Sequence, residues 1–267
     1  MGYVTGNERE MTSTGVIELL VPESLQPLMY LKRRSARVTV RYDGTSTIGH
    51  HIGAVGIPLT EIGRLRARNF GDLEVNDVEV SAGWRPTPGS VVSLLPKERP
   101  QVTPTDPPRF LLDIHLGTLA RRLRILGVDA AWSNDPDENA DDELVARAVE
   151  QRRVLLTRDR GILLRRSLPA GAYVRGNRPD DQLTDVLDRF APPLAPFTRC
   201  PVCNGFLRRV DKHDVAGELQ PGTRRTYQDF QRCQDCDAVY WAGAHYERLR
   251  RIVSKNMSLP TSRTCSS

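Results

Sequence analysis

The sequence predicts an α/β protein whose parallel sheet is covered by helices on both faces, with a small metal-held unit after it. Three observations carry this. Short, continuously apolar runs alternate with stretches of helical apolar spacing between residues 109 and 191, the pattern of buried parallel strands and their crossovers. Four of the five cysteines fall in two tight pairs, Cys200-Pro-Val-Cys203 and Cys233-Gln-Asp-Cys236. Five prolines between Pro96 and Pro108 remove donors from helix and sheet, and so mark a stiff, extended boundary.

The N-terminal segment reads as a small α+β unit. Val16 to Val21 and Val38 to Tyr42 are strand-like, and Ser46 to Val55 suits a short helix. Leu73 to Val80 and Val91 to Leu95 supply later strands, with Pro88-Gly89 as the turn before the last. This order, with Val75-Asn-Asp-Val-Glu-Val and then Pro-Gly-Ser-Val-Val, resembles a ubiquitin-like β-grasp of the sulfur-carrier type. Sulfur carriers act through a free Gly-Gly terminus, whereas this unit runs through Leu95-Pro96 into the proline stretch. The resemblance therefore implies recognition or docking of a protein partner, not activation of a terminal carboxylate.

In the middle segment Phe110-Leu-Leu-Asp is a buried strand ending in an acid. Leu116, Leu119, Ala120, Leu123 and Leu126 then recur at helical spacing up to Gly127. Val128 to Trp132 is a second strand, followed by the acidic loop Asn134-Asp-Pro-Asp-Glu. Ala140 to Arg152 is a helix with Leu144, Val145, Ala148 and Val149 apolar, and Val154-Leu-Leu-Thr is a third strand leading to Asp159. Gly171 to Val174 and Gln182 to Phe190 add a last strand and helix.

Ligands of such sheets sit beyond the carboxyl ends of the strands, where Asp113 and Asp159 fall. Asp141 and Asp142 open the helix that leads into the Asp159 strand. Carboxylates brought together repel unless a cation holds them, and Mg²⁺ or Mn²⁺ suits carboxylates plus a substrate phosphate. Each acid also stands where it would cap the following helix, and Asn139 with Asp142 imitates a capping box. Asn caps about as well as Asp but removes the charge a metal needs, so the two roles are separable.

Leu112-Asp-Ile-His-Leu-Gly-Thr-Leu-Ala-Arg-Arg-Leu-Arg-Ile-Leu-Gly127, Asp141-Asp-Glu-Leu and Val154-Leu-Leu-Thr-Arg-Asp159 resemble the Mut-seven carboxy-terminal RNase family, a branch of the PIN-domain-like nucleases. The resemblance continues through Arg199-Cys-Pro-Val-Cys-Asn and Cys233 to Tyr240-Trp-Ala-Gly-Ala-His245, where the family carries a zinc ribbon. It implies a PIN-like three-layer sandwich, an N-terminal ubiquitin-like β-grasp and a C-terminal zinc ribbon. The resulting division is a β-grasp domain over 15–97, a proline-rich linker over 98–108, a PIN-like nuclease domain over 109–191 and a ribbon over 197–253. Asp113, Asp141 and Asp159 match the family's acidic positions, with Asp142 as an alternative to Asp141. A fourth acid has no clear match, and Asp180 and Asp181 are candidates.

Arg121 and Arg124 share a flank of the first middle-segment helix, and Arg158 and Arg160 bracket Asp159. These guanidinium groups either grip RNA phosphates or neutralise neighbouring aspartates. From 109 to 190 there are 14 Arg and 14 Asp plus Glu, whereas from 199 to 255 there are 11 Lys plus Arg against 7 Asp plus Glu. The positive charge thus belongs to the cysteine region, where Arg208, Arg209, Lys212, Arg224, Arg225 and Arg232 interleave with Phe230, Tyr240 and Trp241. The aromatics either stack bases or form the small unit's core. His115 is either exposed near the acids or structural.

Cys200, Cys203, Cys233 and Cys236 make a closed four-thiolate Zn²⁺ site, structural because no position remains for water. The 29 residues between Cys203 and Cys233 exceed the usual spacing of about 15–20, so an exposed loop through Asp214 to Arg225 is expected. The net charge of +5 favours polyanions. No apolar stretch reaches the roughly 20 residues of a membrane span, and no secretory signal is evident. The expectation is a cytoplasmic, metal-dependent ribonuclease acting on RNA with Mg²⁺ or Mn²⁺. The competing reading is a non-catalytic RNA-binding adaptor in which the acids are caps.

Overall fold

The computed structural model describes residues 15–68, 77–133 and 140–243, with 250–251, 253–254 and 256 beyond them. The chain forms two compact units, Met1–Lys97 and Glu98–Ser267.

In the first unit, alternating apolar residues build a five-stranded sheet. Its elements are β1 (Val16–Leu20), β2 (Arg37–Arg41), α1 (Ile48–Ala54), β3 (Ile62–Arg68), β4 (Val78–Val80) and β5 (Val91–Pro96). The strand order is β2-β1-β5-β3-β4, with β1 and β5 parallel and the other neighbours antiparallel. That central parallel pair flanked by hairpins is the β-grasp arrangement. Ile17, Leu19, Val38, Val40, Leu65, Ala67, Val92 and Leu94 point to one side and are buried, as are Ile48 and Ile52 of α1. Thr47 starts α1 by accepting the His50 N–H on its hydroxyl, an N-cap bond. β3 was not among the expected strands, and Leu73 to Asn76 of an expected strand lie outside the described residues.

The second unit begins with the proline-rich stretch, which lies against it instead of standing free. The Gln101 N–H donates to the Arg189 carbonyl at 2.7 Å, Arg99 pairs with Asp188, and Arg152 donates to the Pro104 carbonyl at 2.8 Å. Next come β6 (Phe110–Leu112), α2 (Gly117–Ile125), β7 (Ala130–Trp132), α3 (Ala140–Glu150), β8 (Val154–Thr157), α4 (Arg160–Leu163), β9 (Gly171–Tyr173) and α5 (Pro179–Phe190). The strands are all parallel, in the order β7-β6-β8-β9. Period-2 alternation then splits the core. Phe110, Leu112, Val154 and Leu156 face a cluster with Leu119 and Leu123 of α2 and Leu183, Val186 and Phe190 of α5. Leu111 and Leu155 face the other side, against Leu144, Val145 and Ala148 of α3 and Ile162 and Leu163 of α4. Helices therefore cover both faces, as continuous apolar strands predict, giving the three-layer PIN-like sandwich that the resemblance implies.

The cysteine region folds as β10 (Leu207–Val210), α6 (Lys212–Val215), α7 (Pro221–Thr226), β11 (Phe230–Cys233) and β12 (Val239–Trp241), an antiparallel sheet in the order β10-β11-β12. The stretch expected as an open loop carries two short helices. Pro221 fits the first turn of α7, and fully buried Val215 anchors α6. Phe230 is the ribbon's buried aromatic, whereas Trp241 is 40% exposed and rests tilted against it. No described helix is long and apolar enough to cross a membrane.

Candidate functional site

The chain leaves β6 for β7 on one side and returns to β8 on the other, so β6 and β8 are neighbours across the topological switch point of the sheet. The carboxyl ends of two such strands diverge around a crevice. Asp113 follows β6 directly, and its N–H continues the ladder to the Leu156 carbonyl at 3.1 Å. Its side chain is 7% exposed. Oδ1 accepts the Ile114 N–H at 2.6 Å, and Oδ2 accepts the Thr157 hydroxyl at 2.7 Å. Thr157 ends β8, is fully buried, and accepts the Asp159 N–H on the same hydroxyl at 2.8 Å. Exposed Asp159 caps α4 through Oδ1, which accepts the Gly161 N–H at 2.6 Å.

Thr157 therefore ties the two strand-end acids into one unit, a role sequence reasoning did not assign. The Thr-Arg-Asp ending of an apolar strand was its only trace. Trp132 is another such residue. Its indole N–H donates to the Ile114 carbonyl at 3.1 Å and so fixes the turn that presents Asp113. The turn closes only because position 117 is glycine, since a Cβ there would stand 2.8 Å from the Trp132 ring.

The other expected acids are held elsewhere. Arg165 pairs with Asp141 at 3.4 Å and also with Asp142. Asp180 pairs with Arg122, and Asp181 is exposed at the start of α5. The four aspartates Asp113, Asp141, Asp142 and Asp159 do not converge as one set of ligand atoms within 4.8 Å, among the described residues. The loop at 134–139, including Asn139 of the expected capping box, lies outside those residues.

Among the expected phosphate-binding arginines, Arg121 and Arg158 are exposed, and Arg158 donates to the Asn177 side chain at 2.9 Å. Arg160 is half-buried. Arg124 is a correction. Only 4% exposed, it donates to the Ala130 carbonyl at 2.7 Å and to the Pro201 and Val202 carbonyls at 3.2 and 2.7 Å. Burial pulls its pKa below the usual arginine range. A buried guanidinium committed to three backbone carbonyls is structural, and it locks the first cysteine turn to α2 and β7. His115 is exposed in the turn after Asp113.

The four cysteine sulfurs lie within 4.8 Å of one another. Cys200 Sγ is 3.7 Å from Cys236 Sγ, and Cys203 Sγ is 3.3 Å from Cys233 Sγ. Sulfurs at tetrahedral zinc positions would stand about 3.8 Å apart, so the cage fits such an ion. Two equivalent turns build it. Asn204 and Asp237, each just after a second cysteine, take positive φ of 77° and 57°. The Cys200 and Cys233 N–H groups donate to carbonyls five residues on, those of Gly205 and Ala238. Gly205 and Asp235 N–H groups donate to Cys203 and Cys233 sulfurs at 3.4 Å. The Tyr240 hydroxyl stands 3.1 Å from Cys200 Sγ. Burial raises the Cys200 thiol, but this hydrogen bond and nearby backbone N–H groups outweigh it and bring it to about 7. His213 is exposed and pairs with Asp214 instead of joining the cage, and His245 lies outside the described residues.

Asp129 completes the joint between sheet and ribbon. Its carboxylate accepts from Arg153 at 2.6 Å and from the Asn204 amide at 2.9 Å, and pairs with Arg199 at 3.4 Å. Burial opposes its ionisation, yet these donors hold it below the ordinary carboxylate range. The backbone N–H of Ala130 donates to the Asn204 side-chain amide oxygen, Oδ1, at 3.0 Å.

The model of the Mut7-C RNAse domain matches residues 108–253, more than half of the chain, and that of the Mut7-C ubiquitin domain matches residues 15–102. Comparison with curated proteins found no match, and comparison with solved structures found none. A parallel sandwich with acids at its switch point, joined to a four-cysteine ribbon, is the architecture over which the first match extends. The chain belongs to the Mut7-C RNase-domain family, with a Mut7-C ubiquitin domain ahead of the nuclease-like unit.

Proposed function

We propose that the protein is a metal-dependent ribonuclease whose reactive centre lies at the carboxyl ends of β6 and β8. The observation that carries this reading is the Asp113–Thr157–Asp159 unit at the switch point. Mg²⁺ and Mn²⁺ sites commonly use only one or two carboxylates, with water and substrate phosphate completing the shell. Asp113 and Asp159 would hold the ion and leave room for the phosphate. Each Asp113 oxygen has accepted one hydrogen bond and retains a further lone pair. When bound, such an ion polarises the phosphoryl oxygen and lowers the pKa of an attacking water. Asp141 and Asp142 would contribute after release from Arg165. Arg121, Arg158 and Arg160 supply positive charge near the scissile group, and the basic ribbon extends the RNA path. The four thiols suit a structural zinc in a reducing cytoplasm.

The adaptor reading draws on a specific observation too. Asp113 and Asp159 both cap the turns that follow them, and Asp141 and Asp142 are engaged by Arg165. Asp113→Asn and Asp159→Asn separate the readings, because amides keep capping but lose charge. Purified protein with Mg²⁺ or Mn²⁺ is given structured and unstructured RNA. Loss of cleavage in both variants, with the melting temperature little changed, supports the nuclease. Intact RNA with every protein, alongside retained salt-sensitive binding, supports the adaptor.

A further inference from the structure

The uncovered face of the β-grasp sheet is read most directly from its ladders. Directly paired residues share a face. Arg37 pairs with Leu20, Leu20 with Ser93, and Ser93 with Arg66, so one row crosses four strands from arginine to arginine. Arg41 lies on the same face as Arg37, and Arg64 and Arg68 on the same face as Arg66. All five arginines are exposed, whereas their neighbours Val38, Val40, Leu65 and Ala67 are buried on the opposite side. The face thus carries two cationic rows, on β2 and β3, three strand spacings or about 14 Å apart. Between them lie Val16, Leu20, Ser93 and Leu95, all exposed or half-buried. Among the described residues, the acids on this side of the sheet are Glu18, which pairs with Arg37, Glu79, which stands across from Arg66, and exposed Asp77 just before β4.

The positive surface continues around the β2 edge. Lys32 to Arg41 contains five cations and no acid, and Lys32, Arg33, Arg34, Arg37 and Arg41 line a cleft of about 390 Å³ there. We propose that this face is a second nucleic-acid site, which binds the phosphate backbone of single-stranded RNA. The inference rests on RNA as the protein's ligand but not on cleavage.

Charge complementarity selects a polyanion, and the layout selects RNA over an acidic peptide. A peptide adding a strand to the open β2 edge would meet Lys32 to Arg41 but leave the β3 arginines unused. A polynucleotide lying across the face meets both rows. Successive arginines stand about 7 Å apart on β3 and about 13 Å apart on β2, and the apolar strip between the rows receives riboses and bases. The strip carries no aromatic ring, so binding is dominated by phosphate contacts and depends steeply on salt.

The test uses the full chain carrying Asp113→Asn, which leaves bound RNA intact. Fluorescent single-stranded RNA is titrated over a range of salt against this parent and against the same chain with Arg37→Gln, Arg41→Gln, Arg66→Gln and Arg68→Gln. Affinity is expected to fall at least tenfold, and the slope of log K against log salt to shrink by about 2–3, from about 0.7 per lost contact. Arginine modification by phenylglyoxal, with and without RNA, gives a readout free of substitutions, and RNA should protect these four side chains. Unchanged affinity and slope, or unprotected arginines, would overturn the proposal. Polyglutamate is titrated in parallel. If the four substitutions abolish its binding but not that of RNA, the face serves an acidic protein and the proposal is wrong. Failure of the parent without Asp113→Asn to cleave RNA would reject the nuclease reading alone, because none of these readouts uses cleavage.

Discussion

Single side chains decide whether the switch-point acids can act together. Thr157 is fully buried and bonded to both Asp113 and the Asp159 backbone. Thr157→Val keeps the shape and removes the hydroxyl, leaving a buried carboxylate oxygen without its donor. The expected cost is about 1–3 kcal/mol, seen as a lower urea midpoint, together with at least a tenfold loss of RNA cleavage if the nuclease reading holds. Asp129 is the corresponding residue at the ribbon joint, where one carboxylate answers Arg153, Arg199 and Asn204. Asp129→Ala leaves buried Arg153 and partly buried Arg199 and Asn204 without their acceptor and should cost about 3–5 kcal/mol. Because the native carboxylate is held below its ordinary pKa, its stabilisation is complete above that ordinary value and is lost as pH falls through the lowered one. Acid titration of the urea midpoint should therefore show a steeper fall below about pH 4 in the native protein than in Asp129→Asn.

At the scale of elements, apolar pattern was legible where burial is two-sided and weak where it is one-sided. Phe110-Leu-Leu and Val154-Leu-Leu are covered by helices on both faces, so every residue is apolar and the strands stand out in the sequence. β3 is covered on one face only. Its Arg64, Arg66 and Arg68 leave Leu65 and Ala67 as the sole apolar signals in its second half, and it escaped notice although it pairs with both β4 and β5. The proline stretch was legible as a boundary, but its attachment to the second unit through the Arg189 carbonyl was not. The turn between β6 and α2 makes a sharp test of packing. Gly117→Ala places a methyl group against the Trp132 ring, and overpacking of this kind costs about 1–3 kcal/mol. A lowered melting temperature with altered tryptophan emission is the expected result, and an unchanged melting temperature would contradict it.

For the second unit as a whole, ribbon and sandwich behave as one body because Arg124, Asn204 and Arg199 reach across the joint. Chelating a zinc ion held by the four cysteines should therefore do more than release the cysteine turns, if the proposed metal occupies the cage. The expected outcome is protease cleavage within 199–243 together with a lowered melting temperature of the sandwich. A sandwich transition that stays put would show the two to be independent. Arg124→Met keeps bulk but removes three hydrogen bonds, and should make zinc easier to strip by chelator while leaving the four sulfurs intact. Local sequence determined the α/β class, the apolar strands, the thiolate cage and the acids at strand ends, because each is written in spacing between near neighbours. Only the tertiary structure decided that Thr157 joins two of the acids, that Arg165 draws Asp141 and Asp142 aside, and that Arg124 serves the ribbon instead of a substrate. Those outcomes depend on contacts between residues far apart in the chain, whose geometry exists only after the strands have paired and the two cores have packed.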